Sequence, residues 1–163
     1  MATVRVILTN KRYHALLNET DFQGESPFLV ACGEGQEQVV ATLVELGEEL
    51  IDWNAQSMYK HSGFSVACRN NCLPVVNLLL ELLKEKLDGF NFNIGFEGAC
   101  RKGHLPVVNR LLEVADSRNI DIESGLWEAE RGREPCVVAA ILTYMAQTER
   151  QSDPLTQTKV TKE

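Results

Sequence analysis

Long apolar runs, aromatic residues and an export signal are scarce or missing in this sequence. Aromatic residues account for 7% of the chain, and no apolar run approaches the roughly 18 to 20 residues that cross a bilayer as a helix. The N-terminal stretch MATVRVILTNKRYH has no apolar core followed by a small-residue cleavage site. These absences predict a protein that lies in the cytoplasm and does not enter a membrane.

Positive charge is also in short supply. The 16 Lys and Arg residues are outnumbered by 23 Asp and Glu residues, which gives a net charge of -7. Nucleic acids select basic surfaces because their phosphates are negatively charged. We therefore expect no nucleic-acid partner, unless a local basic patch overrides the total charge.

The motifs of common enzymes and metal sites are missing as well. There is no CxxC or HxxxH spacing of the kind that zinc sites use, and no GxSxG nucleophile elbow. Gly33-Glu34-Gly35 lacks the following Lys-[Ser/Thr] of a phosphate-binding loop. The sequence predicts no metal, no cofactor and no enzymatic activity.

What the sequence does contain is a repeat. Each copy opens with Ala and places an apolar pair eight residues later. The copies are residues 31–45 (ACGEGQEQVVATLVE), 67–81 (ACRNNCLPVVNLLLE), 99–113 (ACRKGHLPVVNRLLE) and 129–143 (AERGREPCVVAAILT). These spacings predict two short helices joined by a tight turn, and one such pair buries its apolar face only when copies stack.

The five cysteines follow the same pattern. Cys32, Cys68 and Cys100 each come directly after the repeat Ala, whereas Cys72 and Cys136 lie elsewhere in the pattern. An odd number of cysteines at a repeated packing position does not form a disulfide framework. We expect buried free thiols and a reducing compartment.

The residues that surround these copies resemble those of a known family. DFQGESPFLVAC at residues 21–32, IDWNAQSMYKHSGF at 51–64 and GHLPVV at 103–108 are similar to the ankyrin repeat. The histidine of that family's TPLH motif is missing, because its positions hold Leu29, Ser65, Glu97 and Trp127. The resemblance implies an all-α fold, an ankyrin-type α-solenoid of stacked helix-turn-helix repeats.

The predicted boundaries follow from this pattern. We expect an N-terminal capping helix pair at 1–20, repeats at 21–56, 57–90, 91–120 and 121–150, and a disordered tail or linker at 151–163. The expected helices span 2–9, 11–18, 27–32, 37–46, 73–87, 95–102, 105–117, 124–132 and 135–147, with Ser26 as an N-cap and Gly24 in a turn. We expect the larger aromatic residues to pack in the core or between repeats: Trp53, Phe64, Phe90, Phe92, Phe96 and Trp127. For Trp127 the alternative is that it forms the floor of a recognition pocket.

The resemblance also implies where a partner binds. Ankyrin repeats hold partners with their loop tips and with the two residues that end each first helix. Three copies place Arg at the same offset, namely Arg69, Arg101 and Arg131, and their neighbours Asn70, Lys102 and Arg133 extend the row. Such a row suits an acidic peptide or protein segment; the alternative is that each Arg only caps a helix C-terminus.

The first full finger loop supplies a second set of candidate binding residues: Met58, Tyr59, Lys60 and His61. Tyr and Met are enriched at interface cores, although these side chains could instead pack on the next finger. We expect a monomeric, non-catalytic module that binds a partner protein or peptide. The alternatives are a targeting domain of a larger effector or enzymatic protein, a bacterial effector that acts in a host cytosol, and an enzyme in its own right.

Overall fold

A computed structural model of the chain describes residues 11–47, 49–53, 55–82 and 92–152. Every regular element within these residues is a helix, which confirms the predicted all-α class. After a 3-10 helix at Lys11–Leu17, the α-helices are α1 (Pro27–Gly33), α2 (Glu37–Gly47), α3 (Gly63–Arg69), α4 (Leu73–Leu82), α5 (Phe92–Arg101), α6 (Leu105–Leu112), α7 (Ala115–Arg118), α8 (Ile122–Gly132) and α9 (Pro135–Ser152).

The helices form pairs that lie in two layers. Each first helix contacts its own second helix, in the pairs α1–α2, α3–α4, α5–α6 and α8–α9. The first helices contact one another in the order α1, α3, α5, α8, and the second helices contact one another in the order α2, α4, α6, α9. Each repeated apolar pair places at least one Val in the core: Val40, Val75, Val76, Val107, Val108 and Val137 are buried, while Val39 and Val138 are partly buried and pack against the core.

One turn geometry joins the two helices of all four pairs. The fourth residue after each repeat Ala is in the left-handed region, and the residue after it donates its N–H to the carbonyl of that Ala. The left-handed residues are Gly35, Asn71, Gly103 and Arg133, with φ of 66°, 59°, 72° and 61°, and the N–H···O distances are 2.9 to 3.0 Å. This is the Schellman pattern of helix C-termini.

Adjacent first helices approach closely because a Phe of one faces a Gly of the next. A Cβ atom on Gly63 would lie 2.6 Å from a ring carbon of Phe28, and one on Gly125 would lie 2.0 Å from the ring of Phe96. The helices could not keep this separation with a larger residue at either glycine.

The cysteines occupy this interface as predicted. Cys32, Cys68 and Cys100 are free thiols with no exposed surface. Burial raises the pKa of all three, that of Cys100 to about 12, so these thiols are unreactive at neutral pH. Their role as small apolar packing residues is confirmed.

Several local predictions are also confirmed. The Ser26 hydroxyl accepts the Leu29 N–H at the start of α1, where Pro27 holds the first position. Gly24 has a positive φ of 74°. Trp53 is buried and packs edge-on against Phe28 with ring centroids 4.9 Å apart, and the fully buried set includes Phe64 and Phe96.

Three predicted helix boundaries were wrong. Helix α5 begins at Phe92, three residues early, because the Phe92 ring is buried against Phe64 at 4.9 Å. The helix predicted over 105–117 ends at Leu112, and a separate turn of helix, α7, carries the buried Ala115. The last helix runs to Ser152, so the first two residues of the predicted tail are helical.

The prediction that Trp127 packs in the core was also wrong. Trp127 is 58% exposed, because α8 is the last of the first helices and no further described helix covers it. The Arg131 guanidinium lies 5.3 Å from the centre of its ring. The helix predicted at 2–9, the end of the helix predicted at 73–87, Phe90 and the tail from 153 lie outside the described residues.

Candidate functional site

Four of the predicted binding residues line one cavity between α3 and α5, which we call the α3–α5 pocket. Its volume is about 110 Å³. Its walls are His61 from the loop before α3, Arg69 from the end of α3, and residues of α5 and its C-terminus: Ile94, Glu97, Gly98, Arg101 and Lys102. The repeat offset therefore brings Arg69, Arg101 and Lys102 to one place.

His61 lies in this pocket as a neutral ring with one unused donor. Nη1 of Arg69 lies 2.7 Å from His61 Nε2. A guanidinium nitrogen only donates, so Nε2 accepts and the ring proton is on Nδ1. Nδ1 is buried and has no hydrogen-bond partner among the described residues. Burial first, and the Arg69 charge second, lower the pKa of His61.

Arg101 and Arg131 share a carboxylate that the sequence analysis missed. Glu128 is only 5% exposed; it accepts from Arg101 Nε at 2.5 Å and lies 3.5 Å from Arg131 Nη1. The hydrogen bond from Arg101 is the main cause that lowers the pKa of Glu128. The predicted basic row is therefore partly neutralised at two of the three arginines that share the repeated offset.

The position of Glu128 in the repeat is the signal that could have found it. It directly precedes the repeat Ala, where the other copies have Val30, Val66 and Gly98. A carboxylate at a position otherwise held by apolar or small residues needs a cationic partner. Arg101 in the preceding copy and Arg131, three residues along the same helix, supply that partner.

Glu97 is the acidic group of the pocket. It occupies the TPLH histidine position on α5, and its Oε1 accepts the Ser124 hydroxyl at 2.7 Å from α8. This bond fixes the carboxylate at the side of the pocket nearest α8. The other charged side chains of the lining are basic: Arg69, Arg101 and Lys102.

Other predicted residues have structural contacts or lie elsewhere. The Asn70 amide donates to the Gly33 carbonyl at 3.0 Å, and the His104 ring lies 3.0 Å from the Arg69 carbonyl. These two bonds tie successive helix pairs together at equivalent carbonyls. Arg133 is exposed in a separate depression with Glu130 and Glu134.

The finger residues form an exposed apolar surface at the loop tips. Met58 and Tyr59 are 70% and 68% exposed. The Met58 N–H donates to the Gln23 carbonyl at 3.0 Å in the preceding turn, and that turn carries Phe22, which is 84% exposed and which the sequence analysis missed. We call Phe22, Met58 and Tyr59 the tip patch. Lys60, beside it, has a positive φ of 59°.

Comparisons with known proteins add no relative, because neither the models of known protein families nor the curated proteins give a match to the chain. Across the described residues, no group of three or more His, Cys, Asp or Glu side chains is placed to hold a metal ion. Within the same residues, no helix combines the length and the apolar character needed to cross a membrane.

Proposed function

We propose that this chain is a divergent ankyrin-repeat protein that binds a partner protein without catalysis. The partner contacts the tip patch and the neighbouring surface at the C-terminal ends of α3, α5 and α8, which is the concave face of such a stack. The proposal includes a monomeric chain in the cytoplasm, where its five free cysteines stay reduced.

The architecture supports the repeat part of this proposal. Four helix pairs share one left-handed turn position, and first helices contact first helices along the chain. The sequence resemblance supplies the family, since the turn, the Val pair and the Ser-Pro helix start occur at the family's offsets.

The tip patch is the observation that carries the binding part. Single exposed apolar side chains are ordinary on protein surfaces. Here Phe22, Met58 and Tyr59 lie on two turns that a backbone hydrogen bond joins, and each is at least two-thirds exposed. Aromatic residues and Met are the types that bury most effectively at interfaces.

The charges beside the patch indicate the chemistry of the partner. Lys60, Arg69 and Lys102 are exposed basic side chains, and Arg101 is half exposed although it pairs with Glu128. An acidic segment laid from the tip patch toward α5 would meet these charges, which favours fast and specific association. Charge reversal at Arg101 or Arg131 is a poor test, because it would also break the contacts with Glu128.

The test is affinity capture from cell lysates with mass spectrometry, using the full chain as bait. The bait carrying Met58→Ser and Tyr59→Ser should lose the captured partner, since both side chains contribute apolar area. Leu142→Ser is the matched control: Leu142 is 49% exposed but lies on α9, in the other layer. Equal capture by the wild type and the double variant, with unchanged thermal melts, would dismiss the proposal.

A further inference from the structure

The α3–α5 pocket exists because one repeat lacks a side chain. The position before the repeat Ala holds Val30, Val66 and Glu128 in the other copies, but Gly98 in the third. A Cβ at Gly98 would lie 3.4 Å from the Arg69 Cβ, an ordinary contact distance. A larger side chain there would extend into the cavity, so the glycine is not required by the helix packing and leaves a space.

The groups that face this space are mainly hydrogen-bond donors. Arg69, Arg101 and Lys102 line the cavity together with the His61 ring. Guanidinium and ammonium groups only donate hydrogen bonds, so a ligand that supplies acceptor oxygens suits this cavity.

We propose that the α3–α5 pocket binds the carboxylate side chain of a Glu or Asp residue in a partner segment. The proposal rests on the partner-binding function proposed above. It adds that one acidic residue of the partner binds in the α3–α5 pocket. The carboxylate would lie between the basic groups of Arg69 and Lys102 and accept hydrogen bonds from them.

The charge balance favours a carboxylate over a phosphate group. Arg101 is already paired with Glu128, so Arg69 and Lys102 are the cations that remain, and Glu97 offsets one of them. These three side chains leave one net positive charge in the pocket. A carboxylate carries one negative charge and balances it, whereas a phosphate monoester carries nearly two negative charges at neutral pH. The volume of about 110 Å³ is sufficient for a carboxylate with an adjoining methylene.

The test uses NMR titration of the isotope-labelled full chain, which detects weak binding of small probes. The probes are N-acetylglutamate α-amide, its glutamine analogue and N-acetyl-phosphoserine amide. The glutamate probe should shift the His61 imidazole and Gly98 amide signals in a saturable way, with a dissociation constant about ten-fold or more below that of the glutamine probe. Stronger binding of the phosphoserine probe would overturn the assignment to a carboxylate.

Three variants separate the pocket from general charge effects. Gly98→Val fills the cavity with the residue that two other copies carry, and Lys102→Gln removes an exposed cation; both should weaken binding of the glutamate probe about ten-fold or more. Arg133→Asn removes a cation outside the pocket at a left-handed position that Asn tolerates, and it should leave binding unchanged.

The result that would overturn the proposal is unsaturable shifts with the wild type, or equal binding by wild type and Lys102→Gln. Such a result would leave the partner-binding proposal standing if capture still depends on Met58 and Tyr59. If capture does not depend on Met58 and Tyr59 but the glutamate probe still binds, the pocket is supported and the proposed role of the tip patch is overturned.

Discussion

Glu128 on α8 accepts a 2.5 Å hydrogen bond from the Nε of Arg101 on α5. Its carboxylate is almost fully buried, while the Arg101 side chain is 49% exposed. The bond therefore joins the last two helix pairs through one protected and one solvated group. It also decides which arginines of the predicted row remain available to a partner.

Glu128→Gln should lower stability by about 1 kcal/mol, a modest value because solvent screens the half-exposed arginine. The hydrogen bond from Arg101 holds the pKa of Glu128 below its ordinary 4.5. Its contribution to stability is thus present above about pH 4.5 and is lost as the pH falls through the lower value in the folded state. Thermal melts at about pH 7 and at successively lower pH should show that the wild-type advantage shrinks as the pH falls below about 4.5. Glu130→Gln, on the exposed side of α8, is the control and should show no such advantage.

Replacing a left-handed residue by glycine should stabilise the fold. Arg133→Gly should raise the free energy of unfolding by about 0.5–1 kcal/mol, because a side chain at φ 61° is strained. Asn71→Gly should gain less, since Asn tolerates this region. Chemical denaturation measures both. Lys102→Gly, one residue before a left-handed position, is the matched control, and an equal gain there would contradict the assignment of strain.

The Phe–Gly contact between first helices predicts opposite effects for two identical substitutions. Gly125→Ala should destabilise by about 1–3 kcal/mol, because the new Cβ falls 2.0 Å from the Phe96 ring. Gly98→Ala should stabilise by about 0.5–1 kcal/mol, because its Cβ meets only an ordinary contact with Arg69. Phe96→Leu should recover part of the Gly125→Ala loss in a double-mutant cycle. Additive effects of these two substitutions would argue against the contact.

Alkylation rates should separate the cysteines by burial. Cys136 is exposed and should react with iodoacetamide readily, whereas Cys32, Cys68 and Cys100 should react only as fast as the chain unfolds. Mass spectrometry of the labelled chain in native buffer and in denaturant measures this. Labelling of Cys100 in native buffer at the rate of Cys136 would be inconsistent with the buried interface.

The sequence predicts those parts of the fold that depend on residues close together in the chain. The Ser26 cap and the turn at Gly24 each follow from a local pattern and are found. The repeated Val pairs also follow from a local pattern, and each pair has at least one buried Val. The interruption after Leu112 carries no Gly or Pro to announce it. Phe92 extends α5 because of a contact with Phe64, far away in sequence.

The candidate site was predictable only in part for the same reason. Equal offsets from the repeat Ala brought Arg69 and Arg101 together, because stacked copies align equivalent positions. The pairing of Arg101 with Glu128 and the cavity at Gly98 depend on how neighbouring copies differ. The exposure of Trp127 depends on which copy is last in the described stack.

The central claim is that a partner protein binds the tip patch and the adjoining ends of the first helices. The most direct measurement is hydrogen–deuterium exchange on the full chain, alone and with the partner identified by affinity capture. We predict protection of the backbone at residues 21–25, 57–62 and 94–102 on binding, with α2, α4 and α9 unchanged. Protection confined to α2, α4 or α9 would contradict the account.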